Sequence, residues 1–195
     1  MAGKNEIPLI KTRRLVLTLP APDVARRMVE YATANRDHHA PWSPLLPEEY
    51  FTEKYWRERF RSAREEFLHG ESLRLVLFRK QDVMGRVLGT CNFTNFIRGP
   101  FQACYLGYLL DKDAVGRGLM QEALRAAIRY AFDEMRLHRI MANYMPRNER
   151  SANVLRRLGF TVEGYARDYL QIAGRWEDHI MTALTNKKLT PDDIR

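Results

Sequence analysis

Apolar positions near the start of the chain follow first a strand pattern and then a helical one. Residues 14–19 (RLVLTL) predict a strand that ends at the proline after them. Pro22 and Asp23 stand where the first turn of a helix favours a proline and an acid, so we expect a helix from about residue 21 to residue 35. The prolines of residues 41–47 (PWSPLLP) disfavour helix, which predicts a loop between two helices and a candidate lid.

The middle of the chain changes from a helical period to that of strands. Residues 48–68 are charge-rich with aromatic residues at near-helical spacing, which predicts an amphipathic helix with one buried stripe. That stripe consists of Tyr55, Trp56, Phe60 and Phe67. Residues 73–78, 87–93 and 104–110 are short apolar runs separated by Gly, Asp or Pro, and we expect three consecutive antiparallel strands.

The last part of the chain adds the clearest helix and three further strands. Residues 118–135 carry apolar side chains on one helical face and charged ones on the other. Residues 138–145 predict a strand, and residues 151–158 predict a short helix ended by a glycine. The segment from Phe160 onward predicts two strands around a turn at residues 173–174.

The whole sequence, residues 1–195, predicts a single α/β domain of the α+β kind, since no linker, repeat or low-complexity tract divides it. We expect about seven strands in a mixed, mostly antiparallel sheet with about four helices. The helix at residues 118–135 would connect the strands at residues 104–110 and 139–145 as a crossover. Those two strands, the fourth and fifth, would then be parallel.

Composition narrows the class of protein. Lys and Arg number 32 against 24 Asp and Glu, a net charge of +8, which favours an anionic partner such as a polyphosphate cofactor, RNA or an acidic peptide. The two cysteines, Cys91 and Cys104, are too few for a disulfide framework or a zinc site and predict buried free thiols in a reducing cytoplasm. The chain starts without the apolar core of a signal peptide, and its longest apolar stretch is far shorter than the ~20 residues of a membrane helix. We therefore expect a soluble, unexported protein.

A glycine-bearing turn joins the strand at residues 104–110 to the helix at residues 118–135. Gly116 and Gly118 allow a ligand to approach the backbone closely, and the helix N-terminus offers unpaired N–H groups and the positive end of a dipole. The turn therefore predicts a phosphate site, with a plain turn as the alternative. It matches neither the P-loop pattern nor G-x-G-x-x-G, because Gln121 stands at the third glycine.

Two motifs resemble those of a known family. Residues 115–120 (VGRGLM) resemble the Gln/Arg-x-x-Gly-x-Gly/Ala motif of the GNAT superfamily of N-acetyltransferases, although Val115 and Met120 depart from it. Residues 146–160 (PRNERSANVLRRLGF) are similar to the family's Asn-x-x-Ser-x-x-x-Leu-x-x-Leu-Gly-Phe signature. The likeness covers nearly the whole chain and is nearest to the RimJ-type ribosomal-protein alanine N-acetyltransferases. Its further matches are residues 12–17, 141–146, 164–169 and 174–178.

The resemblance implies a GNAT fold with acetyl-CoA as cosubstrate and no metal. Acetyl-CoA would lie in a V-shaped opening between the fourth and fifth strands. Its pantetheine would run beside Leu109, Leu110 and Asp111, and Asn148 and Asn153 would offer amide groups. Asn148 has the alternative role of capping its helix. The residues implied at the phosphates are Gly116, Arg117, Gly118, Leu119 and Met120.

The resemblance also implies catalytic groups. Ser151 would face the cofactor sulfur and stabilise the departing thiolate, or else cap its helix. Asn143 and Leu155 occupy the positions of the acid and the tyrosine known in related alanine acetyltransferases. Glu163 and Asp168 are then the nearest carboxylates that could act as the base, with a surface charge or an anchor for the substrate terminus as alternatives. The polar residues interpreted as packing or substrate-pocket residues are Tyr105, Tyr108, Tyr144 and His138.

The expected activity is acetyl transfer to the N-terminal α-amine of a ribosomal protein, by resemblance the alanine-starting fifth protein of the small subunit, through direct attack in a ternary complex. At pH 7 the neutral fraction of an α-amine is roughly 10–15%, whereas that of a lysine side chain is about 0.04%. Acetylation of an α-amine therefore does not need a strong base. The alternatives are acetylation of a small amine, such as an antibiotic or polyamine, and a ribosome- or RNA-binding protein, suggested by the arginines of residues 57–64 and 147–157. Contact with a ribosomal particle or RNA would be compatible with catalysis. We expect a cytoplasmic monomer or weak dimer without membrane association.

Overall fold

A computed structural model of the protein describes residues 6–190 and residue 192. Its main feature is one eight-stranded sheet with helices on both faces. The strands are β1 (Leu9–Lys11), β2 (Leu15–Thr18), β3 (Leu73–Arg79), β4 (Gly89–Ile97), β5 (Ala103–Leu110), β6 (Arg139–Met141), β7 (Thr161–Ile172) and β8 (Arg175–Thr185). The helices are α1 (Ala25–Ala34), α2 (Arg36–His39), α3 (Glu53–Leu68), α4 (Leu119–Asp133) and α5 (Glu149–Leu158).

The strands follow the order β1-β2-β3-β4-β5-β6-β8-β7 across the sheet. All neighbouring strands are antiparallel except β5 and β6, which are parallel. A parallel pair needs a crossover connection, and α4 provides it. The predicted mixed sheet, its parallel pair and the crossover helix are therefore confirmed.

The structure has one strand and one helix more than the sequence predicts. The additional strand, β1, has only three residues and pairs with β2 alone, so it is too short to show an alternating pattern. Because β1 comes first, the predicted fourth and fifth strands are β5 and β6. The additional helix, α2, is a single turn that follows α1 after the chain bends at Asn35 (φ −108°, ψ 9°).

The strand predicted at residues 138–145 is shorter in the structure, since β6 ends at Met141. After β6 the chain still follows β8, where the Ala142 N–H donates to Thr182 O at 3.0 Å. The chain after Met141 no longer pairs with β5. The apolar pattern continues across this change, so periodicity could not locate it.

Two apolar clusters fill the two faces of the sheet. β3 contributes to both because side chains alternate along a strand. Leu75 and Leu77 pack in the cluster under α4, whereas Val76 and Phe78 pack in the cluster under α1 and α3. A strand that is buried on both faces reads as a continuous apolar run, as residues 75–78 do after the half-buried Arg74.

The aromatic stripe predicted for α3 is confirmed in its centre. Trp56 and Phe60 are buried in the cluster shared with α1, and Tyr55 packs against that cluster. Phe67, the second-to-last residue of the helix, packs instead against the cluster under α4.

Both cysteines, Cys91 and Cys104, are buried free thiols, as predicted. Within residues 6–190 and 192, no three or more His, Cys, Asp or Glu side chains are grouped so that they could hold a metal ion. None of the helices in this part of the chain has both the length and the apolar character needed to cross a bilayer.

Candidate active site

The central feature is a gap between two parallel strands. β5 and β6 share only three residue pairs, from Ala103 with Arg139 to Tyr105 with Met141. Beyond them β5 remains paired with β4 as far as Leu110, whereas the chain after β6 turns to β8 and pairs Tyr144 with Ile180. Among the residues that the structure describes, none forms a strand beside residues 106–110 of β5 on that side. We call the space beside them the opening.

The direction of the β5 peptide groups decides which of them face the opening. The Asp111 N–H donates to Leu88 O at 2.8 Å, on the side of β4. Because peptide groups alternate along a strand, those of Tyr108 and Leu110 point the other way, into the opening. The Leu110 carbonyl accepts a hydrogen bond from His39 Nε2 at 2.9 Å. Burial lowers the pKa of His39 despite that hydrogen bond, so its ring is neutral at pH 7.

Asp111 is buried and holds the end of β5 in place. Its carboxylate accepts from Asn35 Nδ2 at 3.1 Å and from the Asp113 N–H at 3.1 Å, and Arg86 lies 3.4 Å away. Asn35 Oδ1 in turn accepts from the Lys112 N–H at 2.8 Å. Of the residues predicted beside a pantetheine, Leu110 thus presents its peptide to the opening, whereas Asp111 anchors the strand end to α1.

The turn after β5 has the predicted form of a phosphate site. Gly116 (φ +76°) and Gly118 (φ +68°) both have left-handed backbones that favour glycine. α4 begins directly after Gly118, and within the described part of the chain no side-chain hydrogen bond caps its N-terminus. The first-turn N–H groups, which include those of Leu119 and Met120, therefore lack partners within the helix and are available to an anion. Arg117 projects from the same turn with an exposed side chain. We call residues 115–118 the glycine loop.

The glycine loop is fixed by an ionic cluster that sequence analysis did not identify. Glu122, in the first turn of α4, accepts hydrogen bonds from Thr12 Oγ1 (2.6 Å), Arg14 N (2.8 Å) and Arg14 Nε (2.7 Å). Partial burial would raise the pKa of Glu122, but these bonds and the Arg14 charge lower it to about 2. Arg14 also donates from Nη1 to Arg117 O at 3.0 Å. One guanidinium thus connects the start of β2, α4 and the glycine loop.

The start of α5 lies on the other side of the opening. Asn148 Oδ1 accepts from the Ser151 N–H at 3.1 Å, so Asn148 caps the helix, as its alternative role predicts. Ser151 Oγ lies 2.7 Å from the phenol oxygen of Tyr108 on β5. Burial raises the pKa of Tyr108 to about 12, although the Ser151 contact opposes the rise. Asn153 Oδ1 accepts from Arg156 at 2.7 Å, which the sequence did not predict.

Comparison with known proteins decides the family. Residues 14–161 match the family model described as an acetyltransferase (GNAT) domain. The chain belongs to the GNAT acetyltransferase family. It is 43% identical over 190 residues, 96% of this chain and 97% of the relative, to the [ribosomal protein uS5]-alanine N-acetyltransferase of Escherichia coli.

Solved structures of GNAT proteins have the same fold. The crystal structure of the ribosomal-protein-S5-alanine acetyltransferase from Vibrio fischeri superposes with a TM-score of 0.89 at 37% identity, covering 94% of this chain and 100% of that one. RimJ of Mycobacterium smegmatis, solved in complex with CoA-disulfide, superposes with a TM-score of 0.83 at 26% identity, covering 94% and 88% of the two chains. The GNAT fold implied by the sequence motifs is thereby confirmed.

The two residues predicted as candidate bases of this GNAT domain make their contacts outside the opening. Glu163 forms an ion pair with Arg139, which pairs with Ala103 at the start of β5. The glycine loop lies beyond the other end of β5. Asp168 has a left-handed backbone (φ +45°) where the β7–β8 register is irregular, and its N–H donates to Asp178 Oδ1 at 2.9 Å. The Asp168 side chain is exposed. Neither carboxylate has a contact that places it at the opening, and their role as base stays a prediction.

A polar cluster lies on the face of the GNAT sheet opposite Tyr108. Asn143 Oδ1 accepts from the Thr182 N–H at 3.2 Å, and Asn143 Nδ2 donates to the phenol of Tyr169 at 3.1 Å. Burial and the neighbouring phenol of Tyr105 raise the pKa of Tyr169. The ring of buried His179 packs 5.3 Å from that of Tyr169. Asn143, where the family resemblance led us to consider an acid, therefore orients a neutral phenol instead.

The segment predicted as a lid contacts the tip of the β7–β8 hairpin. The Ala173 N–H donates to Ser43 O at 2.9 Å. Arg147, in the loop before α5, lies over the ring of Trp42 and forms a two-bond ion pair with Glu177 at 2.5 and 2.9 Å. The segment, the hairpin and the α5 loop are thus joined on one side of the domain. Whether the segment moves as a lid stays a prediction.

Proposed function

We propose that this GNAT enzyme transfers the acetyl group of acetyl-CoA to the N-terminal alanine α-amine of a ribosomal protein, uS5 of the small subunit, in the cytoplasm. The observation that carries the proposal is the near full-length similarity to the E. coli enzyme named for that acceptor. The opening beside β5, with the glycine loop at its end, supports acetyl-CoA as the donor.

The backbone supplies most of the proposed donor site. The phosphates would bind the free N–H groups at the start of α4 and the Arg117 side chain. The pantetheine would lie along the unpaired edge of β5 and hydrogen bond to peptide groups that face the opening, those of Tyr108 and Leu110. An N–H on this edge would also stabilise the negative charge that develops on the thioester oxygen.

The chemical step is direct attack. The neutral α-amine attacks the thioester carbon, and the C–S bond breaks with its electron pair on sulfur. Water accepts the proton that the nitrogen loses as the amide forms, and the CoA thiolate takes up a proton and leaves as the thiol. Because a substantial fraction of an α-amine is neutral at pH 7, deprotonation through water is sufficient and a strong base is not required. This fits the presence of Asn143 and Leu155 at the positions where the family resemblance implies an acid and a tyrosine.

The proposal is tested with a peptide that begins with the N-terminal residues of uS5. Incubation with the protein and acetyl-CoA should add one acetyl group to the α-amine, located by tandem mass spectrometry. The same peptide with a blocked N-terminus is the control, and its lysines should remain unmodified. Acetylation of spermidine or an aminoglycoside, but not of the peptide, would replace the proposal by the small-amine alternative.

Arg117→Glu should weaken CoA binding about tenfold in calorimetry, because it places a negative charge beside the phosphates. The loss should shrink as salt is raised, since the Arg117 side chain is exposed and its charge is screened. Arg61→Glu changes the net charge equally on the exposed face of α3 and serves as the matched control. Equal losses for the two variants would show a general charge effect and remove Arg117 from the phosphate site.

A further inference from the structure

The contact between Tyr108 and Ser151 links the two sides of the opening. Tyr108 belongs to the part of β5 that borders the opening, and Ser151 lies in the first turn of α5. Their hydroxyl oxygens are 2.7 Å apart, and both side chains are partly buried. Leu155, at the helix position where the family resemblance implies a tyrosine, is 1% exposed and packs in the core. The phenol that contacts the start of α5 therefore comes from β5 and not from α5 itself.

Either hydroxyl can donate in the contact between Tyr108 and Ser151. A phenol is more acidic than an aliphatic alcohol and is the stronger donor, and when Tyr108 donates, Ser151 Oγ is the acceptor. Tyr108 stays protonated at physiological pH because burial raises its pKa to about 12. The hydrogen of Ser151 is then left free for a second acceptor. A helix N-terminus also favours negative charge nearby, as on a departing thiolate.

We infer that Tyr108 is a positioning residue for acetyl transfer: its phenol holds Ser151 Oγ so that the serine hydrogen points to the sulfur of acetyl-CoA. This inference rests on the proposed function. As the C–N bond forms and the C–S bond breaks, the electron pair of the broken bond remains on sulfur. Ser151 donates its proton to that sulfur. Water takes the proton that the amine releases and restores the serine hydroxyl, while Tyr108 remains protonated throughout.

A double-mutant cycle tests the coupling between the two hydroxyls. Ser151→Ala should lower kcat about a hundredfold by removing the proton donor. Tyr108→Phe keeps the ring and removes only the hydroxyl, so it should lower kcat about tenfold with KM for acetyl-CoA unchanged. With Ser151→Ala already present, adding Tyr108→Phe should have no further effect. A tenfold loss that persists in the double variant would mean that Tyr108 acts independently of Ser151 and would overturn the inference.

Tyr130→Phe is the matched control for loss of a phenol. Tyr130 lies on α4, packs against the same apolar cluster as Tyr108, and has its pKa raised by burial as well. The structure gives its hydroxyl no contact with Ser151. The kcat of Tyr130→Phe should therefore equal that of the wild type. A tenfold loss in this variant would show that the cycle reports packing rather than positioning.

A second measurement needs no acceptor amine. The pKa of the thiol of bound CoA can be followed through its reaction with a disulfide reagent over a range of pH. Background from the protein is low because Cys91 and Cys104 are buried, and burial raises the pKa of Cys104 to about 12. Ser151→Ala should raise the pKa of bound CoA by at least about one unit, and Tyr108→Phe should raise it by somewhat less.

The two measurements separate failure of the inference from failure of the proposed function. A wild-type protein that binds no CoA, or binds it without acetylating the peptide, contradicts the proposed function. A wild-type protein that does both, but whose kcat and CoA thiol pKa are unchanged by Tyr108→Phe, contradicts only the positioning role.

Discussion

Gly118→Val is expected to weaken CoA binding about a hundredfold in calorimetry. The left-handed backbone of Gly118 (φ +68°) is strained for any L-residue and most for a β-branched one, at a cost of about 1–3 kcal/mol. To relieve that strain the chain must rotate at the residue before α4, which would turn the first N–H groups of the helix away from the phosphates. Retained affinity would mean that these N–H groups do not bind the phosphates.

The control for this prediction is Gly99→Val. Gly99 has nearly the same backbone (φ +71°), and an added Cβ there would meet no atom within 4 Å. It lies in the turn between β4 and β5, at the end remote from the glycine loop. Both variants should lose similar unfolding free energy in urea titrations, whereas only Gly118→Val should lose CoA affinity. An equal loss of affinity in both would indicate a general effect of reduced stability.

Glu122→Gln is expected to lower the free energy of unfolding at pH 7 by about 2–3 kcal/mol. The Glu122 carboxylate accepts three hydrogen bonds, two of them from Arg14. The glutamine amide has the same size but no negative charge, so the ion pair with Arg14 is lost. The variant should also bind CoA more weakly, because Arg14 holds Arg117 O in the glycine loop. Urea titration followed by circular dichroism measures the loss.

The pH dependence of this difference identifies its cause. The folded pKa of Glu122 is about 2, below its ordinary value of 4.5, so its stabilising contribution is complete above pH 4.5 and disappears as pH falls towards 2. The wild type and Glu122→Gln should therefore converge in stability across that range. Glu66 has a pKa of about 2 as well, since its bonds to Arg59, Ser72 and Arg74 outweigh the effect of burial, and it contributes equally to both proteins.

Glu65→Gln provides the comparison for loss of a carboxylate. Glu65 lies exposed on α3, so the unfolding free energy of Glu65→Gln should differ from that of the wild type by less than about 0.5 kcal/mol. If Glu122→Gln differed from the wild type by the same small amount, or by a constant amount down to pH 2, the cluster around Glu122 would not contribute as proposed.

Local sequence signals predicted the elements that carry the site. The glycines at 116 and 118 were predicted from their place between a strand and a helix, and both have positive φ. The capping role of Asn148 follows from its position three residues before Ser151 and is confirmed. The apolar run of β5 and the helical period of α4 likewise depend on neighbours in sequence, which a single chain displays directly.

Contacts between distant residues could not be predicted in the same way. Arg14 and Glu122 are 108 residues apart, and Tyr108 and Ser151 are 43 apart. No periodicity connects such pairs, so Tyr108 was interpreted only as a packing or pocket residue. The family likeness at residues 12–17 was the available signal for Arg14, but it gave no role. The end of β6 at Met141 depends on where two strands part, which is also set by tertiary packing.

The scarcity of β5–β6 pairs has a mechanical consequence. Within the sheet, three residue pairs alone join the five strands that begin with β1 to the three that end with β7. A pantetheine lying along the free edge of β5 would act as a short substitute strand across this weak seam. Binding of a pantetheine and pairing of the two halves of the sheet are then thermodynamically linked. A ligand that binds more tightly when β5 and β6 are paired also stabilises that pairing.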